Sequence, residues 1–180
     1  RAKFTGNADF SKSETIFAVS PYDSRAYSSS DTLFTNYGEE LIYNDVTGNV
    51  EGANLMAART TDSVFAFRNV CAYISLEVTS PTDEVIKSIS IFSKDGSDIT
   101  GAVAVSFDKS GKPSVKMVPG DENGKTITVD CCSAISIGPS STAKINIPVL
   151  PVFPDGFDIT IFTDSGKSMS VSSDMSISAG

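Results

Sequence analysis

The sequence predicts an all-β protein, a sandwich of mainly antiparallel strands. Three observations lead there. From Val70 to Val78 every even position is apolar (Val70, Ala72, Ile74, Leu76, Val78), while Cys71, Tyr73, Ser75 and Glu77 fill the odd ones. A period of two is the mark of a strand with one face in a core. Shorter segments with the same rhythm recur down the chain, separated by turns rich in Gly, Asp and Asn, the spacing expected of a sandwich. No capped amphipathic helix of useful length is present.

The 180 residues suffice for one good core or two small ones. Only 20% are charged, and the Ser and Thr that replace them suit a pleated, half-buried surface. A net charge of −8 without a basic patch argues against nucleic acid and against an anionic membrane surface as partners. The chain has no histidine, which removes the usual general base, the Ser–His and Cys–His pairs and the His-containing zinc sites. No apolar run is long enough to span a bilayer, so no transmembrane segment is expected.

In chain order, residues 1–19 hold apolar clusters around Phe4 and Ile16–Val19, with Gly6-Asn7 as a turn. Residues 20–50 carry Pro21, a Ser28-Ser29-Ser30 run and Gly38 among scattered aromatics. They read as a long irregular excursion with a strand at Leu41-Ile42-Tyr43. Asn54–Ala58 is a short strand or a turn of helix, and Phe65–Val78 is one long strand. After a turn at Pro81-Thr82-Asp83, Val85, Ile89 and Ile91 share a face. Beyond Lys94-Asp95-Gly96, Val103, Val105 and Phe107 point inward. Asp108–Gly111 turns into Ser114–Val118. Asp121-Glu122-Asn123-Gly124 is hairpin-like.

Lys125–Ile137 is strand-like, with a bulge at Cys131-Cys132. Pro148 marks Lys144–Val149 as an edge or strand end. Phe157, Ile159 and Ile161 alternate. Asp164-Ser165-Gly166 then turns into Lys167–Ile177, where Met169, Val171, Met175 and Ile177 share one face and form the candidate donor or edge strand.

Three cysteines leave at least one free thiol. Adjacent cysteines bond to each other only through a strained ring, and Cys131 continues the apolar face of Ile127 and Val129, so it reads as a buried, inert thiol. A bridge from Cys71 to Cys131 or Cys132 stays open. The aspartates beside glycine lack the ligand spacing of an EF-hand loop and read as turn formers. No nucleophile elbow or phosphate loop occurs. The residues thus indicate no catalytic site, no metal site and no cofactor. Tyr22, Tyr27, Phe34, Tyr37 and Tyr43 are candidate contact aromatics: loop aromatics stack on sugars or on a protein partner. The plainer reading is that they pin the loop to the sandwich.

Five segments carry a resemblance: Phe17-Ala18-Val19-Ser20-Pro21-Tyr22, Asn54-Leu55-Met56-Ala57-Ala58, the strand beginning Phe67-Arg68-Asn69, Ile86–Gly101 and Ile147–Ile161. In order and spacing over most of the chain they resemble the fimbrillin-like surface proteins of anaerobic Bacteroidales, relatives of type V pilus subunits. The resemblance implies a transthyretin-like β-sandwich without enzyme activity. It also implies export to the cell surface and outer membrane, as a fimbrium, through a lipid anchor outside this chain. The implied partners are other fimbrial subunits, or host or bacterial surface proteins, engaged by strand complementation. Residues 1–180 would then be a single sandwich domain, the N-terminal domain of a longer protein. The alternative is a surface glycan-binding module using the aromatics of residues 20–50. A hydrolase ranks third for want of histidine.

Overall fold

The computed structural model describes residues 15–178 except 39, 63, 121 and 122. The expected cluster at Phe4, the Gly6-Asn7 turn and the first half of the Asp121–Gly124 loop lie outside the described residues. Among the described residues the chain is all-β, with no helix. Its strands are β1 (Ile16–Ser20), β2 (Tyr27–Ser29), β3 (Thr32–Tyr37), β4 (Glu40–Asn44), β5 (Asn49–Glu51), β6 (Met56–Thr60), β7 (Arg68–Asn69), β8 (Ala72–Val78), β9 (Glu84–Ser93), β10 (Gly101–Phe107), β11 (Pro113–Met117), β12 (Thr126–Ile137), β13 (Ala143–Val149), β14 (Val152–Phe153), β15 (Phe157–Thr163), β16 (Ser168–Ser173) and β17 (Ile177–Ser178).

The largest sheet has six strands in the order β16-β15-β9-β12-β4-β5. A four-stranded sheet runs β11-β10-β3-β2, a three-stranded one β1-β6-β7, and β13-β8 and β14-β17 form pairs. Neighbours are antiparallel except β12 and β4, which align in parallel with Val129 opposite Leu41. Buried side chains from the different sheets meet in a single hydrophobic core, the layering of a β-sandwich. Isoleucine dominates it: Ile86, Ile89, Ile91, Ile127, Ile145, Ile147 and Ile159 are essentially inaccessible. The β-branched side chain suits both a pleated strand and dense packing.

The period-two segments behave as their patterns require. In β8, Ile74 and Val78 are buried while Tyr73, Ser75 and Glu77 are exposed. In β15, Phe157, Ile159 and Ile161 are buried. In β12, Ile127, Val129 and Cys131 are buried, and the register against β9 jumps between Asp130 and Ile135. That is the bulge expected at the paired cysteines; Cys132 holds it with a φ of 50°.

Several elements differ from the sequence reading. Residues 20–50 are not an irregular excursion: they hold β2, β3, β4 and β5. In β3 the buried members are Leu33, Thr35 and Tyr37. Two of the three carry hydroxyls, so an apolar count missed the alternation. Thr35 satisfies its hydroxyl on Asp23 at 2.9 Å.

Phe65–Val78 is not one strand. It breaks between β7 and β8, which belong to different sheets, and Val70 N–H donates to the Leu55 carbonyl at the break. Ile86, rather than Val85, joins Ile89 and Ile91 in the core, because β9 changes register against β15 between Ile86 and Ser88. β11 and β12, on either side of the expected hairpin, lie in separate sheets, so the two strands do not form a hairpin. Between them Asn123 accepts from Ala102 N–H at 3.0 Å and donates to the Val118 carbonyl at 2.7 Å.

Candidate functional site

The last hairpin places the candidate edge residues. β15 turns through Asp164-Ser165-Gly166 into β16, which pairs Met169 with Ile161 and Val171 with Ile159. Those partners are buried, so Met169 and Val171 lie on the core-facing side of the sheet. Yet Val171 is 57% exposed and Met169 only half-buried. Among the described residues β16 has one sheet neighbour, so its other backbone edge is unpaired and its inward face extends beyond the covering layers. The stretch 167–177 is not a single strand. It breaks after Ser173, leaving Met175 66% exposed in the connection, while Ile177 enters β17 opposite Phe153 and packs against the core. The four candidates therefore divide: Met169 and Val171 on an open edge, Met175 on a linker, Ile177 in a short closed pair.

Charged groups bracket this edge. Glu84 opens β9 with a side chain only 6% exposed. It accepts from the Lys167 ammonium, from the Ser165 hydroxyl at 2.5 Å and from the Thr82 hydroxyl at 3.3 Å. Lys167 and then Ser165 hold its carboxyl down at about 2. Beyond the other end of β16, Asp174 pairs with Lys94. A cleft of about 480 Å³ lies beside Glu84, lined also by Asp83, Asp164 and Ser136. Among the described residues no three His, Cys, Asp or Glu side chains converge as metal ligands would.

The aromatics of residues 22–43 are not one platform. Tyr37 is buried, and its hydroxyl donates to the Pro148 carbonyl at 2.6 Å. Tyr43 packs partly against the core. Tyr27 is exposed and stacks on Phe34, with ring centroids 4.8 Å apart and planes 10° from parallel. Tyr22 is 87% exposed.

The three cysteines are free thiols. Burial pushes Cys131 up to about 12 and Cys71 up to about 11. Cys132 faces solvent in a cleft of about 300 Å³ beside Ile42, Val46 and Ala134. Sequence reasoning overlooked this cleft because its wall comes from the bulge and from β4, which pairs with β12 across the sequence.

Among the described residues no helix is long and apolar enough to cross a membrane. Compared with known proteins, the chain matches no family model, no curated protein and no solved structure.

Proposed function

We propose that the protein is a structural or adhesive protein of the bacterial cell surface, fimbrillin-like in its design, working through protein–protein contact rather than catalysis. The observation that carries this reading is the open edge at β16. An unpaired strand edge with uncovered apolar side chains on its inner face is what an added strand needs: backbone groups to pair with and a hydrophobic strip to cover. Val171 supplies that strip, beside Met169, which is half-buried against the core. In this reading the chain is exported, is held at the outer membrane by a lipid anchor outside this sequence, and has fimbrial subunits or surface proteins as partners. The transthyretin-like arrangement and the role as one domain of a longer protein belong to the same proposal.

The test uses the full-length secreted protein. It is treated with a trypsin-like protease and followed by denaturing gel and electron microscopy, beside a Val171→Lys variant. Ladders or filaments in the wild type that vanish in the variant support assembly through this edge. Monomers in both after a discrete cut overturn it.

One observation favours a second reading, a glycan-binding module. Tyr27 lies stacked and exposed over Phe34, and Tyr22 projects nearby in sequence; exposed rings of this kind stack on sugars. Burial of Tyr37 removes one member of the expected set. A glycan array on wild type and Tyr27→Ala decides it: binding lost in the variant supports this reading, and no binding by the wild type ends it.

A further inference from the structure

We infer that β16 is a latched strand: an ion pair beyond each of its ends holds it on the six-stranded sheet, and loosening the latches opens β16 while the remaining core stays folded. The inference goes beyond the assembly reading, because it needs no partner.

Packing does little to hold β16. None of its six side chains is fully buried, whereas the adjoining β15 buries Phe157, Ile159, Ile161 and Thr163. Its outer face is Ser168, Ser170 and Ser172, of which Ser170 shares a 3.0 Å hydroxyl contact with Thr160. Beyond the half-buried Met169, which packs against the core, what remains is one ladder of backbone bonds to β15. Segments with few buried apolar contacts open locally at free energies below that of global unfolding.

The two ion pairs are placed where that ladder ends. Lys167 immediately precedes β16 and reaches Glu84, the first residue of β9. Asp174 immediately follows β16 and meets Lys94, just past the end of β9. Since β9 lies on the far side of β15, both pairs span the intervening strand and tie the flanks of β16 to the sheet's interior. The latches are unequal. Glu84 is sheltered and also receives Ser165 and Thr82, with Asp83 and Asp164 lining the same cleft. Asp174 is 93% exposed, and Lys94 also feels Asp158. Each pair has one well-exposed partner, Lys167 at 63% and Asp174 at 93%, and exposed pairs contribute little; the sheltered Glu84 carboxylate with its two added hydroxyl donors makes the Lys167 end the principal latch. Opening the strand uncovers the backbone edge of β15 and the inward faces that Met169 and Val171 cover.

Hydrogen exchange of the monomeric full chain, read peptide by peptide, tests this. Amides of residues 168–173 are expected to exchange about fivefold faster in Lys167→Met and about twofold faster in Asp174→Asn, with residues 86–91 and 127–129 unchanged. Should Lys167→Met fail to fold, the wild type in rising salt gives the same readout, with selective loss of protection in β16. Unchanged β16 exchange, or equal acceleration of β16, β9 and β12, overturns the latch. Because the monomer is measured, failure here leaves the assembly test standing, and the reverse.

Discussion

The hydroxyl of Tyr37 donates a 2.6 Å hydrogen bond to the carbonyl of Pro148, a residue 111 positions away in the sequence. It joins β3 to β13, strands of two different sheets. Pro148 sits opposite Tyr73 in the β13–β8 pair. Both partners of the bond are buried, and burial raises the pKa of the phenol, so it stays a donor throughout the ordinary pH range. Tyr37→Phe keeps the ring and strands a buried carbonyl, so it should cost about 1–2 kcal/mol. Urea denaturation at neutral pH measures this, and an unchanged midpoint would show that the bond contributes nothing net.

The Glu84 carboxyl gives a pH signature. Its folded pKa of about 2 lies below the ordinary value of 4.5. A depressed carboxyl contributes stability in full above its unfolded pKa and loses it as pH falls through the folded one. Asp95, held at about 2 by Ser93 and Ser97, acts in the same direction. Glu84→Gln should therefore lower stability at neutral pH and flatten the decline between about pH 4.5 and 2. Denaturation midpoints across that window check it; parallel acid limbs in variant and wild type would contradict the assignment.

Glycine is required at Gly156 for two reasons. Its φ is +92°, and an added Cβ would lie 2.1 Å from the Ser173 carbonyl oxygen, a contact that β16 cannot relieve without moving. Gly111 has φ +77° with open space around it. Gly111→Ala should cost about 1 kcal/mol from backbone conformation alone, and Gly156→Ala roughly 2–3 kcal/mol or more. Thermal melts of the two variants side by side test the difference.

Thiol chemistry should single out Cys132. The thiolate is the reactive form, and burial raises both Cys71 and Cys131. Under native conditions a maleimide should modify Cys132 rapidly and the other two only on unfolding. Mass spectrometry of the labelled peptides gives the answer; early labelling of Cys131 would mean that the bulge opens.

Paired strand positions should respond in opposite ways. Ile159 and Val171 face each other across β15 and β16, one buried and one exposed. Ile159→Ala should cost about 2–5 kcal/mol, whereas Val171→Ala should stay within about 0.5 kcal/mol. Comparable losses at both positions would mean that the edge is covered in solution.

The strands legible in the sequence were those whose inward face is mainly apolar and strictly alternating: 72–78, 101–107 and 157–163. Residues 32–37 escaped because Thr35 and Tyr37 occupy inward positions and find partners in Asp23 and Pro148. A side chain that is polar by composition enters a core once its hydrogen bond is satisfied there, and the partners lie too far along the chain for a local pattern to reveal them. For the site, the candidate at Met169 and Val171 was readable from its alternation. The separation of Met175 and Ile177 from it was not, because the break after Ser173 depends on where β17 finds β14.

By itself the sequence determined the all-β class, the alternating apolar faces that build the core, and a bulge at the adjacent cysteines, since each of these follows from local period and composition. Only the tertiary structure decided which strands share a sheet, that β4 joins β12 in parallel, and that an ion pair lies beyond each end of β16. Strand order is a matter of pairing between distant segments, and the backbone groups that pair are the same in every residue but proline, so the sequence carries no local mark of the partner.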